Sequence, residues 1–107
     1  MIIKKKASKE QIKEMAKHFE GYIKIVVDVE KGILSGGGDR HSDEEKALLK
    51  EGSRQEDLWG GGFDIKTNEL DYNSVINLRP GQDNPSRDIL SRNERKKFDE
   101  IVKKLLK

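Results

Sequence analysis

"GYIKIVVDVEKGILSGG", residues Gly21 to Gly37, decides the fold. From Tyr22 to Val29 the side chains are β-branched and apolar on both alternating faces. A strand covered on one side only would alternate apolar with polar, so this pattern marks a central strand. Glu30 to Gly32 turns the chain into a short partner, "ILSGG".

Outward from this hairpin, three segments begin with Ser followed three residues later by Gln or Glu. In such a capping box the Ser oxygen accepts from a free helix amide while the third residue reaches back to the cap's own amide. Ser8 with Gln11 precedes Ile12, Met15, Ala16 and Phe19 at helical spacing, and Gly21 stops that helix. Ser42 with Glu45 starts a second, with Ala47, Leu48 and Leu49 inward and Gly52 as its stop. Ser91 with Glu94 starts a third, striped by Phe98, Ile101, Val102, Leu105 and Leu106.

After the second helix, Trp59, Phe63 and Ile65 alternate onto one face of a strand, and "KTNE" reverses the chain into "LDYNSVINLR". Read as a fourth strand, that segment puts Tyr72, Ile76 and Leu78 on one face. Asn73, Val75, Asn77 and Arg79 fall on the other. The expectation is a single α+β domain over residues 1–107. It has an antiparallel sheet of about four strands and three helices, ordered α-β-β-α-β-β-α, with the helices mainly on one face.

Apolar residues make up 33% of the chain and charged residues 39%, but the apolar positions are patterned, which argues for a fold with a charged surface. The net charge of +2 provides no strong field for nucleic acid or an anionic membrane. It is unevenly spread. Asp39 to Asp57 holds seven acidic residues against four basic, and Asp88 to Lys107 holds seven basic against four acidic. Absence of cysteine excludes disulfides and thiolate chemistry. No apolar run reaches the length of a membrane span, and "MIIKKKASKE" lacks a signal peptide's apolar segment, so a cytoplasmic protein is expected.

Polar chemistry gathers in three stretches. In "GGGDRHSDEE", Gly36 to Glu45, glycines lead into a helix start, a setting that can cradle phosphate. Asp43, Glu44 and Glu45 occupy that start, however, and would repel an anion while favouring the helix dipole. His41 and Asp43 are also potential metal ligands. In "EGSRQEDLWGGGFD", Glu51 to Asp64, Trp59 is either core or the wall of a pocket, with Gly60 to Gly62 leaving room for a ligand against the indole or for a neighbouring backbone. In "NLRPGQDNPSR", Asn77 to Arg87, two arginines eight residues apart are placed to clamp a carboxylate or phosphate.

The same stretches resemble a family of small prokaryotic proteins, a domain of unknown function. The resemblance rests on "VVDVEKGIL" at Val26 to Leu34, "GGDRHSD" at Gly37 to Asp43, "GSRQEDLWG" at Gly52 to Gly60 and "INLRPGQDNPSR" at Ile76 to Arg87. It implies that His41, Asp43, Arg54, Gln55, Asp57, Trp59, Asn77, Arg79, Asn84 and Arg87 belong to a shared signature. It implies no activity and no cofactor.

Three readings compete. In the leading one, Arg54, Gln55, Trp59, Asn77, Arg79, Asn84 and Arg87 bind a phosphate-bearing ligand such as a nucleotide or RNA, and His41 and Asp57 supply acid–base chemistry. In the second, the signature residues form a polar network that locks loops onto the sheet of a non-catalytic structural or protein-interaction module. In the third, His41, Asp43 and Asp57 hold a divalent metal.

Overall fold

A computed structural model describes residues 1–107. Five antiparallel strands form one sheet: β1 (Ile2–Ile3), β2 (Tyr22–Asp28), β3 (Ile33–Gly36), β4 (Leu58–Asp64) and β5 (Leu70–Asp71), in the spatial order β1-β3-β2-β4-β5. The strand with two apolar faces is thus the middle one. β2 pairs along its whole length with β4, from Tyr22 opposite Asp64 to Asp28 opposite Leu58.

The alternation of β2 divides the interior in two. Ile23, Ile25 and Val27, with Leu34, Trp59 and Phe63, face a layer made by α1 (Lys9–Ala16) and α3 (Arg92–Leu106). Met15 and Ala16 of α1, and Phe98, Val102, Leu105 and Leu106 of α3, complete this main core. Val26 and Leu58 point the other way, against Leu48 of α2 (His41–Lys50), with Ile2, Ile33 and Ile76 around them. Two helices therefore cover one face and α2 covers the other.

The start signals hold unevenly. Ser8 and Gln11 form the complete box. Ser91 accepts from the Glu94 amide, so the third start also stands. The second box does not form. α2 begins one residue before Ser42, at His41, and no side chain caps it. The start moves because Glu44 turns inward to take the Ser35 hydroxyl of β3, a buried bond that fixes the rotation of the helix. Leu48 is fully buried as a result, while Leu49 faces solvent.

The expected long fourth strand is a correction. Only Leu70 and Asp71 pair with β4, and Val75–Asn77 and Pro80–Gln82 are 3-10 turns. Local side-chain bonds win over the extended chain: Asp71 takes the Asn73 amide and Ser74 takes the Ile76 amide. The predicted faces break with it. Asn77 is wholly buried, while Val75 and Leu78 are 58% and 50% exposed. The fifth strand comes from Ile2–Ile3, which joins the β3 edge.

Candidate functional site: a cation-lined cleft at the start of α2

The three glycines after Trp59 serve close packing. A methyl group on Gly61 would overlap the Asp71 carbonyl and lie 2.7 Å from Phe98 Cζ. One on Gly60 would meet Ser74 at 2.6 Å, and one on Gly62 would overlap the Tyr22 hydroxyl. The space beside the strand is filled by protein. Trp59 itself is buried in the main core, and the Arg79 guanidinium covers its ring at 4.1 Å from the centroid. Where a ligand stacked on this indole was expected, the group stacked on it is Arg79.

Arg79 also fastens the chain. It donates to the Gln55 carbonyl at 2.5 Å and to the Leu58 carbonyl at 2.5 Å, while Gln82 donates to the Glu56 carbonyl at 3.1 Å. These bonds hold the Pro80–Gln82 turn against the 3-10 turn Gln55–Asp57 that leads into β4. Burial lowers the Arg79 pKa from its ordinary 12.5, against the attraction of Glu45 and Glu94, and the group stays charged. Gln55 contributes its backbone rather than its side chain. Arg54 is an exposed partner of Glu56.

Asn77 and Asn84 are also consumed by backbone. Asn77 accepts from the Gly60 amide at 2.8 Å and donates to the carbonyls of Gly60, Tyr72 and Arg87 at 2.9, 2.8 and 3.0 Å. Asn84 donates to Asn77, Ser86 and Asp88 carbonyls and accepts from the Leu90 amide at 3.0 Å. Both side chains are buried, and the N–H donors of both amides are fully used by backbone carbonyls.

His41 and Arg87 lie elsewhere, in an open cleft of about 660 Å³. Tyr22 and Lys24 of β2, Arg40, His41 and Ser42 at the start of α2, and Asp71, Ser74 and Arg87 line it. Arg79 is absent from this lining, so the two arginines of the third stretch do not clamp one ligand. Lys24, Arg40 and Arg87 belong to none of the chain's ion pairs. The Lys24 ammonium donates to the Asp39 carbonyl at 3.0 Å and lies over the Phe19 ring. None of Asp43, Glu44 and Glu45 lines the cleft, although the Glu44 charge reaches His41.

His41 lies over the middle of β4, where its Nε2 is 2.7 Å from the Gly61 carbonyl. A carbonyl only accepts, so Nε2 carries the proton and Nδ1 holds the free lone pair. Burial lowers the His41 pKa from its ordinary 6.5; the Gly61 bond opposes the shift and nearby Lys24 adds to it. The neutral imidazole is thereby favoured. Beside it, the Tyr22 hydroxyl donates to Asp71 Oδ2 at 2.6 Å, and burial first, then this bond, pushes the phenol pKa up.

Asp57 does not join His41. It precedes the first residue of β4, four residues from Gly61, roughly 13 Å along an extended strand. Its pKa is raised by burial and by the neighbouring Asp28 carboxylate. Asp43 is exposed, and no three His, Asp or Glu side chains are grouped to hold a metal ion. The fold therefore does not group His41, Asp43 and Asp57 as the metal arrangement expected of them requires.

Lys24, Arg40, Tyr22 and Asp71 were not singled out by the motifs. A signal exists for Lys24 alone: it interrupts an apolar run in a strand whose other mid-strand positions are buried.

Fold and cleft together define a small α+β protein whose single sheet carries a polar, cation-lined cleft beside the start of one helix. The chain belongs to the family described as "Protein of unknown function (DUF5674)", whose model matches residues 1–105. Comparisons with curated proteins and with solved structures found no match.

Proposed function

We propose that the cleft binds a phosphate-bearing ligand, with Lys24, Arg40 and Arg87 holding the anion and His41 accepting a proton. One observation carries this reading: three cations from three separated segments, none in an ion pair, converge beside a histidine whose neutral form burial favours. Arginine forks match phosphate oxygens bidentately. The neutral imidazole, pinned at Nε2, leaves Nδ1 as the proton acceptor.

Asn77, Arg79, Asn84 and Gln55 have a different role in this proposal. Their hydrogen-bond partners are backbone groups or, for Gln55, the Arg79 side chain, which favours loop locking. Arg87 is the signature arginine left for a ligand, and Arg54 and Trp59 lie outside the cleft.

The test is amide chemical-shift mapping with inorganic phosphate at low salt. Shifts centred on Lys24, Arg40, His41 and Arg87, weakening as salt rises, are expected, and Arg40→Ala with Arg87→Ala should abolish them. Unmoved cleft amides at millimolar phosphate would refute the reading.

A further inference from the structure

The cation-lined cleft also holds a carboxylate, Asp71, which would be misplaced if phosphate were all it bound. Asp71 faces the cleft between β5 and the Ser74 turn and forms no ion pair with any of its cations. A carboxylate has about four lone-pair positions. The Tyr22 hydroxyl uses one on Oδ2 and the Asn73 amide uses one on Oδ1. One remains on each oxygen. Two acceptor positions on one rigid planar group match two neighbouring hydroxyls, the way acidic residues take ribose diols.

The support is built in. Gly62 lies under the Tyr22–Asp71 pair: a methyl group there would overlap the phenol oxygen and come 2.6 Å from Asp71 Oδ2. The glycine thus lets a phenol and a carboxylate sit directly on the sheet. Tyr22 orients Asp71 and the Asn73 amide fixes its second oxygen, so little order is lost on binding. At about 660 Å³ the cleft is within the range of small-ligand sites and much larger than one phosphate ion needs.

Resting on the phosphate reading above, we infer that the ligand is a phosphate ester carrying a vicinal diol, its phosphate on Lys24, Arg40 and Arg87 and its hydroxyls on Asp71. A ribonucleotide and a free sugar phosphate share this chemistry. Asp71 has the second task of disfavouring ligands that bring phosphate but no hydroxyl donors.

Calorimetric titration with inorganic phosphate, ribose 5-phosphate, adenosine 5′-monophosphate and its 2′-deoxy analogue tests the inference. Both ribose esters should bind more tightly than phosphate. The deoxy analogue should lose about tenfold against its parent, the scale of one hydrogen bond to a charged acceptor. A tighter nucleotide assigns the nucleotide, and equal affinity for the two ribose esters assigns the sugar phosphate. Asp71→Asn, checked for an unchanged melting temperature, should erase the deoxy discrimination and, by removing a carboxylate from the cleft, strengthen the binding of inorganic phosphate. Equal binding of the ribo and deoxy forms by the unaltered protein, with phosphate still bound, overturns the diol inference alone. Selectivity that survives in a folded Asp71→Asn protein overturns it too. Failure of every anion to bind removes the phosphate reading itself.

Discussion

The Asn77 side chain makes with Gly60 the two hydrogen bonds that a neighbouring strand would make, accepting from its amide at 2.8 Å and donating to its carbonyl at 2.9 Å. A carboxamide has the same donor and acceptor as a peptide group, so one side chain continues the sheet where β5 has ended. Two further bonds to Tyr72 and Arg87 carbonyls tie the 70s and 80s segments to that point.

Asn77→Ala should therefore destabilise the protein by about 3 kcal/mol or more, because it leaves buried backbone groups without partners. Asn77→Asp keeps the acceptor but loses every donation, and should cost no less. Urea denaturation gives the magnitude, and hydrogen exchange gives the location: the Gly60 amide should lose protection first. An Asn77→Ala protein as stable as the parent would contradict the account.

The glycines of β4 differ from those of the turns. In Gly61→Ala the methyl group meets the Asp71 carbonyl and Phe98, neither a flexible chain end, and the cost should be about 2–3 kcal/mol. Gly81 has nothing within 4 Å of such a methyl group and no left-handed backbone. Gly81→Ala should be neutral, or stabilising by up to about 1 kcal/mol through the unfolded chain. Thermal melts of the two variants make the comparison.

Legibility followed the range of the causes. β2 was readable as central because burial on both faces leaves an apolar run broken only by Lys24 before Asp28, and α1 because its cap is written within four residues. The strand expected through Asn77 was lost because a side chain standing in for a peptide leaves no periodicity to read. The role of Trp59 turned on Arg79, twenty residues away, which lies on its ring. The cleft was least visible: Lys24, Arg40, Asp71 and Arg87 come from four segments that only the β3-β2-β4-β5 order and the placement of α2 bring together.

Arg79 and Arg54 both lie in the polar stretches of the sequence, yet they should respond differently to removal. Arg79→Ala strips two charged donors from the Gln55 and Leu58 carbonyls and uncovers Trp59, for an expected loss of about 1.5–3 kcal/mol. No carboxylate pairs with Arg79, so the larger penalty of a broken buried ion pair does not apply. Arg79→Lys should recover little, since one ammonium does not reproduce a fork that spans two carbonyls. Arg54→Ala breaks only an exposed pair and should stay within about 0.5 kcal/mol. Urea midpoints that rank the two arginines the other way would refute the latch.

His41 gives the stability a pH dependence whose sign follows from its burial. Its folded pKa lies below the ordinary 6.5, so as pH falls past 6.5 the unfolded chain takes up a proton that the folded chain still refuses. Where the unfolded state binds more protons, stability rises with pH. The His41 contribution is therefore complete above 6.5 and is lost as pH drops from there through the lower folded value. His41→Gln keeps an N–H to reach the Gly61 carbonyl but does not titrate, and should flatten the profile in that window. Imidazole resonances followed against pH should place the His41 midpoint below 6.5, and phosphate bound in the cleft should raise it by favouring the imidazolium. A midpoint at or above 6.5 in the free protein would mean that the ring is not held neutral, and His41 would lose its place as the proton acceptor.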